Sequence, residues 1–283
     1  MNITGKTRLA GVVGQPIAHS LSPILHNAWL TATNLDGIYA PFGIAEPRFE
    51  AFIDGLRGGA IRGLNITLPF KIRALAMADQ ISHRARLAQA ANVLVFAEDG
   101  TLQADNTDGA GLIWAFASQA PGFDPSAGPV AIIGAGGGAQ GAAAAFLEAG
   151  CPKVRLFNRT LEKAERVAEN LGAGVEAWNL ADVEQGLQDV MAVINATSAG
   201  LLGGGLALPL EATPVDAVIM DMTYKPLITP FLSQALDLGR RTVDGLEMLI
   251  GQARPSFAAF FGQDPPGEVN VRHLALCALE ANS

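Results

Sequence analysis

Short apolar runs alternate with amphipathic stretches from the start of the chain. RLAGVVG (8–14) predicts a strand that ends in glycine. SPILHNAWLTATN (22–34) predicts a helix, with Ser22 as N-cap and Pro23 at the first helical position. IYAPFGI (38–44) predicts a second strand. In RFEAFIDGLRG (48–58), Phe49, Phe52, Ile53 and Leu56 recur at helical spacing. AIRGLNIT (60–67) reads as a third strand and PFKIRALAMAD (69–79) as the next helix. This alternation implies a mostly parallel sheet with covering helices.

NVLVFAEDGTLQAD (92–105) breaks the rhythm. Two strands flank an Asp-Gly turn, which predicts a hairpin. GAGLIWAFASQ (109–119) follows as a helix. PGFDPSAGP (121–129) is rich in proline and glycine, shows no period and reads as a linker. A second alternating series comes after it. VAIIG (130–134), KVRLFN (153–158), MAVINAT (191–197) and DAVIMDM (216–222) read as strands. Their continuous apolar runs suit a parallel sheet covered on both faces. LLGGGLALP (201–209) reads as a mobile glycine-rich loop, and 229–239, 247–262 and 271–280 as helices.

With 283 residues, 49% of them apolar, the chain can bury a core for one large or two ordinary domains. Nineteen basic against 27 acidic residues leave a net charge of −8, with no basic tract. That balance argues against nucleic acid or an anionic membrane as partner, and leaves room for a small anion at a local basic site. The two cysteines form no C-x-x-C and the four histidines are scattered, so no metal site is expected. The cysteines read as reduced thiols of a cytoplasmic protein. No signal-peptide run opens the sequence, and no stretch nears the roughly 18 apolar residues of a membrane span.

The first chemistry is in VAIIGAGGGAQGAAAAFLEAG (130–150), a strand, a glycine loop and an alanine-rich helix. Its loop runs Gly134, Ala135, Gly136, Gly137, Gly138, Ala139. Gly134, Gly136 and Ala139 make G-x-G-x-x-A: a tight turn, a close backbone approach for a pyrophosphate, and close helix–strand packing. The helix start would face the phosphates with free N–H groups. In the next strand, an NAD site carries an acid about 20 residues on. LFNRTLEKA instead offers Asn158, Arg159, Thr160 and Lys163. Two cations there suit a 2′-phosphate, so NADP is favoured over NAD. Thr160 also reads as a helix cap.

GLNITLPFK (63–71) admits two readings. Thr67 can cap a helix that has Pro69 in its first turn, with Lys71 merely solvated. Alternatively Asn65, Thr67 and Lys71 stand at the carboxyl edge of a sheet, where α/β folds bind ligands.

The chain resembles the shikimate dehydrogenase family, with its quinate/shikimate dehydrogenase relatives. GQPIAHSLSPILHN (14–27), GLNITLPFK, NTDGAG (106–111), GAGGGA, NRTLEK, INATSAG (194–200), DMTYKPLITP (221–230) and DGLEMLIGQA (244–253) look like its motifs in order. The resemblance implies an α/β fold of two domains with the active-site cleft between them. A substrate-binding domain would span 1–108 and 248–283, and an NADP-binding Rossmann domain 109–247. It implies NADP-dependent reversible reduction of 3-dehydroshikimate to shikimate. By motif, Lys71 matches the essential lysine and Asp108 its aspartate partner. Ser20 and Ser22 match the hydroxyls that hold the substrate carboxylate. Thr67, Asn92 and Gln252 match side chains that bind ring hydroxyls or nearby groups. Tyr224 lies at a substrate-contacting position, and Met222 and Gly245 lie near the nicotinamide. Lys71 would protonate the ring oxygen as hydride arrives, with Asp108 orienting it and sharing a hydroxyl proton.

Three positions depart from the family pattern. In QAANV (89–93), Gln89 replaces a glycine and Val93 a threonine; Gln140 stands where arginine is common. These changes keep two alternatives open: a quinate or shikimate-analogue dehydrogenase, or a non-catalytic NADP-binding sensor.

Overall fold

The structure, a computed structural model, describes residues 3–197 and 208–281. Residues 201–207 of the expected glycine-rich loop, and 198–200 of INATSAG, lie outside the described residues. The chain forms two compact units: Met1–Thr107 with Gln252–Ser283, and Asp108–Gly251.

In chain order the first unit contains β1 (Arg8–Gly14), α1 (Ser22–Ala32), β2 (Gly37–Gly43), α2 (Phe49–Asp54), β3 (Ile61–Ile66), α3 (Lys71–Met77), β4 (Gln80–Ile81), α4 (His83–Ala88), β5 (Val93–Phe96) and β6 (Leu102–Asp105). Its six strands lie in the order β2-β1-β3-β5-β6-β4. β1 is parallel to β2 and β3, while the hairpin β5–β6 inserts β5 antiparallel to β3. The sheet is therefore mixed, and the start of β5 lies beside the carboxyl ends of β3 and β6. One face packs on Phe49, Ile53 and Phe70, with the Phe49 and Phe70 rings stacked at 4.4 Å.

Local expectations shift at several helix starts. The residue before α1 is Leu21, in helical conformation, and no side chain caps the helix; Ser22 is its first helical residue. α3 begins at Lys71, not at Pro69, and no side chain caps it. Thr67 instead closes a turn, its carbonyl accepting from the Phe70 N–H at 3.0 Å. α2 stops at Asp54, and a turn of 3-10 helix, Glu46–Arg48, precedes it. β4 and α4 were not expected: two and six residues are too short to display a period.

The second unit starts with α5 (Asp108–Gln119), then β7 (Val130–Ile133), α6 (Gly137–Glu148), β8 (Val154–Asn158), α7 (Leu161–Leu171), β9 (Val175–Asn179), α8 (Val183–Gly186), β10 (Ala192–Asn195), β11 (Val218–Asp221), α9 (Pro230–Asp237) and β12 (Arg241–Val243). Its strands are all parallel, in the order β12-β11-β10-β7-β8-β9. Read from the far edge this is the 3-2-1-4-5-6 order of a doubly wound dinucleotide-binding sheet. β9 and β12 are edge strands with few buried positions, so their apolar signal is weak. The 121–129 segment is not a linker between the units. It joins α5 to β7 inside the second one, because Leu112, Ala115 and Phe116 of α5 pack into the core with Phe146 of α6.

α10 (Gly245–Phe261) carries the chain from the second unit back to the first at Gln252, and α11 (Val271–Ala281) ends the described chain. Among the described residues no helix is long and apolar enough to cross a membrane.

Candidate active site

In the first unit, polar side chains collect where β1, β3 and β6 end and β5 begins. Asn65, in the otherwise apolar β3, is 5% exposed. Its Nδ2 donates to the Asn92 carbonyl at 3.2 Å and to Ser256 Oγ at 2.9 Å, and its Oδ1 accepts from the Tyr39 phenol at 2.7 Å. Asn92 is equally committed. Its Nδ2 donates to Gln252 Oε1 at 3.2 Å and Thr107 Oγ1 at 3.1 Å, and its Oδ1 accepts from the Thr107 N–H at 2.8 Å. Thr107 and Ser256 hydroxyls donate to the Gln252 carbonyl at 3.0 and 3.1 Å. Buried amides and hydroxyls so paired avoid the penalty of unmet hydrogen bonds and hold one another rigidly.

Ser22 is buried, and its N–H donates to Ser20 Oγ at 3.4 Å. Tyr39, also buried, is held well above the usual phenol range by burial. His26 stacks on Tyr39, ring centroids 3.9 Å apart, and burial lowers its pKa to about 3, so the imidazole is neutral. The backbone of Thr67 is pinned to β1 through the Val13 carbonyl at 2.9 Å. Lys71 opens α3, half-buried, and its carbonyl accepts from the Ala91 N–H at 2.9 Å, next to Asn92.

The structure thus joins Asn92 and Gln252 through Asn65, Thr107 and Ser256, with Tyr39 bonded to Asn65. Tyr39, Thr107 and Ser256 were not singled out from the sequence. The available signal was polarity in apolar context, a tyrosine in IYAPFGI and a serine four residues after Gln252 on one helix face.

In the second unit, Gly134 follows β7 with φ 116°, a region that side chains avoid, and a Cβ there would meet Ala196 and Thr197 at 3.3 Å. Gly136 is the N-cap of α6. A Cβ on Gly136 would meet nothing within 4 Å, and Gly136, Gly137 and Gly138 are exposed. Ala139 is buried against Val130 and Ile132, while Ala135 is half-buried. This is open backbone at the head of a helix, with the dipole's positive end outward, and it fits a dinucleotide pyrophosphate.

At the end of β8, Asn158 Nδ2 donates to the Thr160 carbonyl at 2.8 Å. Thr160 occupies the N-cap position of α7, but its side chain does not cap. Arg159 and Lys163 are exposed, so both cations can meet a phosphate in solvent. After β11, Asp221 is buried and accepts from Asn195 Nδ2 at 3.1 Å and Thr229 Oγ1 at 2.8 Å. The Met222 N–H, next in the chain, donates to the Asn195 carbonyl at 3.1 Å. Gly245 opens α10 against it: a Cβ would sit 2.4 Å from the Met222 carbonyl oxygen. Tyr224 is half-buried, and desolvation raises its pKa. Asp108 is the first residue of α5 and half-buried. Among the described residues no group of three or more His, Cys, Asp or Glu side chains could hold a metal ion.

The departures now have surroundings. Gln89 ends α4 in the left-handed conformation, φ 49°, where the family pattern carries glycine. Val93 lines a cavity of about 370 Å³ with Ile81, Val95, Ala104 and Thr107. Gln140 is buried in α6.

Residues 12–94 match the family described as shikimate dehydrogenase substrate binding domain, and 119–202 the family described as shikimate / quinate 5-dehydrogenase. The chain is 56% identical, over 97% of its length and 96% of the relative's, to the shikimate dehydrogenase (NADP(+)) of Caulobacter vibrioides. The crystal structure of shikimate 5-dehydrogenase from Thermus thermophilus, in complex with NADP(H) and shikimate, is similar with a TM-score of 0.84 and 32% identity, over 95% of this chain and 99% of that one. Quinate dehydrogenase from Corynebacterium glutamicum, in complex with NAD, is similar with a TM-score of 0.86 and 25% identity, over 97% and 99%.

Proposed function

The chain belongs to the shikimate dehydrogenase family, and from that premise we propose that it catalyses the reversible, NADP-dependent reduction of 3-dehydroshikimate to shikimate. The observation that carries this reading is the family likeness along nearly the whole chain, which puts the lysine segment and the nucleotide loop into one protein. The exposed loop at Gly136–Gly138 and the cations Arg159 and Lys163 support NADP as cofactor.

When bound, the cofactor supplies the hydride. The head of α6, from Gly134 to Ala139, would hold its pyrophosphate, and Asn158, Arg159, Thr160 and Lys163 its adenosine phosphate. Met222 and Gly245 would lie near the nicotinamide. Ser20 and Ser22 bind the substrate carboxylate. Thr67, Asn92 and Gln252 take the ring hydroxyls, and Tyr224 contacts the ring. Negative charge grows on the ring oxygen during reduction; Lys71 hydrogen-bonds that oxygen and gives it a proton. Asp108 orients Lys71 and shares a substrate hydroxyl proton with it. The network behind Asn92 and Gln252 supports these roles, because it sets their amides before substrate arrives.

The test is initial rates with shikimate and quinate, each with NADP and with NAD. Fast turnover of shikimate with NADP is expected. A preference for quinate or NAD would assign the chain to the sister activity, and bound NADP without turnover of either acid would make it a sensor.

A further inference from the structure

Ser256 lies in the interior of α10, fully buried, one residue after a proline. Neither residue suits that place by propensity. Pro255 has no N–H to give, so the turn containing Gln252 lacks one helical hydrogen bond. A serine in a helix interior is less favourable than alanine. Its hydroxyl nevertheless has two polar partners, both in the first unit. Its oxygen accepts from Asn65 Nδ2 at 2.9 Å, and its hydrogen goes to the Gln252 carbonyl at 3.1 Å. The directions follow from the groups involved. Asn65 Nδ2 must face the Asn92 carbonyl, which only accepts, so Asn65 Oδ1 takes the Tyr39 phenol hydrogen.

These bonds make a closed ring. Ser256 Oγ donates to the Gln252 carbonyl, and Gln252 Oε1 accepts from Asn92 Nδ2. The Asn92 carbonyl accepts from Asn65 Nδ2, which also donates back to Ser256 Oγ. Ser256 accepts and donates through one oxygen, so removing that oxygen opens the ring. We propose that Ser256 is a positioning residue for substrate recognition: its hydroxyl closes this ring and so fixes the Gln252 and Asn92 amides for the substrate's ring hydroxyls. The proposal rests on the reading that Asn92 and Gln252 bind those hydroxyls. Ser256, at 0% exposure, acts only through its partners.

Ser256→Ala removes the oxygen and leaves a good helix former in its place. It is expected to raise KM for shikimate about tenfold, with kcat and KM for NADP within about twofold. Cyclohex-1-enecarboxylate keeps the carboxylate, lacks the ring hydroxyls and serves as a competitive inhibitor. Its Ki should be the same in variant and parent. In a Gln252→Ala background the Ser256→Ala change should add less than about threefold, because one of the amides it positions is gone. An unchanged KM for shikimate, a Ki that rises in step with it, an equal rise in KM for NADP, or a full loss in the Gln252→Ala background would overturn the proposal.

Ser256→Cys is the second variant, since it nearly keeps the volume and has only a weak donor and acceptor. If Ser256→Ala does not fold, Ser256→Cys carries the same test. A raised KM for shikimate with an unchanged Ki supports the ring, and a Ki that rises in step refutes it. If the parent protein turns over no shikimate, the functional reading fails and the proposal with it. Turnover in the parent, with losses in the variants that do not depend on the ring hydroxyls, sinks the proposal alone.

Discussion

Asn92 and Gln252 stand 160 positions apart in the chain and share a hydrogen bond of 3.2 Å, Nδ2 to Oε1. Asn92 also holds Thr107 through the same Nδ2 and through Oδ1, so one side chain sets three segments of the first unit. Asn92→Ala removes the acceptor of the Thr107 N–H and the donor to Gln252 Oε1 in a buried site. The expected loss is about 1–3 kcal/mol of stability, read as a lower urea midpoint with unchanged slope. A midpoint equal to the parent's would show that water or a rearranged partner replaces Asn92.

Lys71→Ala should lower turnover by about 10²–10⁴-fold, the range of a lost general acid. NADP affinity, followed by fluorescence titration, should stay within about twofold, since the glycine loop and its cations are untouched. Survival of turnover would remove Lys71 from the mechanism.

Arg159→Ala should raise KM for NADP by about 10–100-fold, as expected for a charged hydrogen bond to phosphate. KM for NAD, which has no 2′-phosphate, should barely move. Equal changes for both cofactors would mean that Arg159 shapes the loop instead of reading the phosphate. Lys163→Ala should act in the same direction and more weakly, because a single ammonium lacks the bidentate fork.

Gln89 pays for its left-handed backbone, φ 49°, with about 1–2 kcal/mol of steric strain. Gln89→Gly removes that strain at a smaller cost in chain entropy. We expect a net stabilisation of about 0.5–1 kcal/mol in thermal or urea unfolding, with KM for shikimate unchanged. Destabilisation would show that the Gln89 side chain makes contacts worth more than the strain.

His26 is neutral in the folded protein, its pKa lowered by burial from 6.5 to about 3. The unfolded chain binds a proton there from about pH 6.5 downward. The folded form does not, so stability is full above that pH and falls as the pH drops toward 3, by up to about 1.4 kcal/mol per unit. His26→Phe keeps an aromatic ring against Tyr39 and removes the titration. The stability lost between pH 7 and pH 5 should shrink by about 2 kcal/mol. An acid limb parallel to the parent's would mean that His26 titrates alike in both states.

Apart from the short or edge strands β4, β9 and β12, the strands, the hairpin and the nucleotide loop were legible in the sequence because each is a local property. Gly134 needs its positive φ whatever lies elsewhere, and VAIIG reads as a buried strand from its own residues. The departure at Gln89 was visible as a letter, but its left-handed backbone was not. Helix starts were read less well: α1 and α3 begin without side-chain caps, so cap chemistry at Ser22 and Thr67 pointed to the wrong residue. The 121–129 segment looked like a domain linker because composition reports flexibility and says nothing of which core α5 joins.

The motifs placed Ser22, Asn92 and Gln252 in a site by resemblance, but not what holds them. Asn65 bonds Ser256 across 191 positions of chain, and Tyr39 reaches Asn65 across 26. Short-range pattern is blind to such pairs, since a buried hydrogen bond depends on where the folded backbone carries two side chains. The sequence alone therefore determined the two α/β series, the nucleotide loop and the cations that follow it. Only the tertiary structure decided which buried partners orient Asn92 and Gln252, because that choice is made by packing between segments distant in sequence.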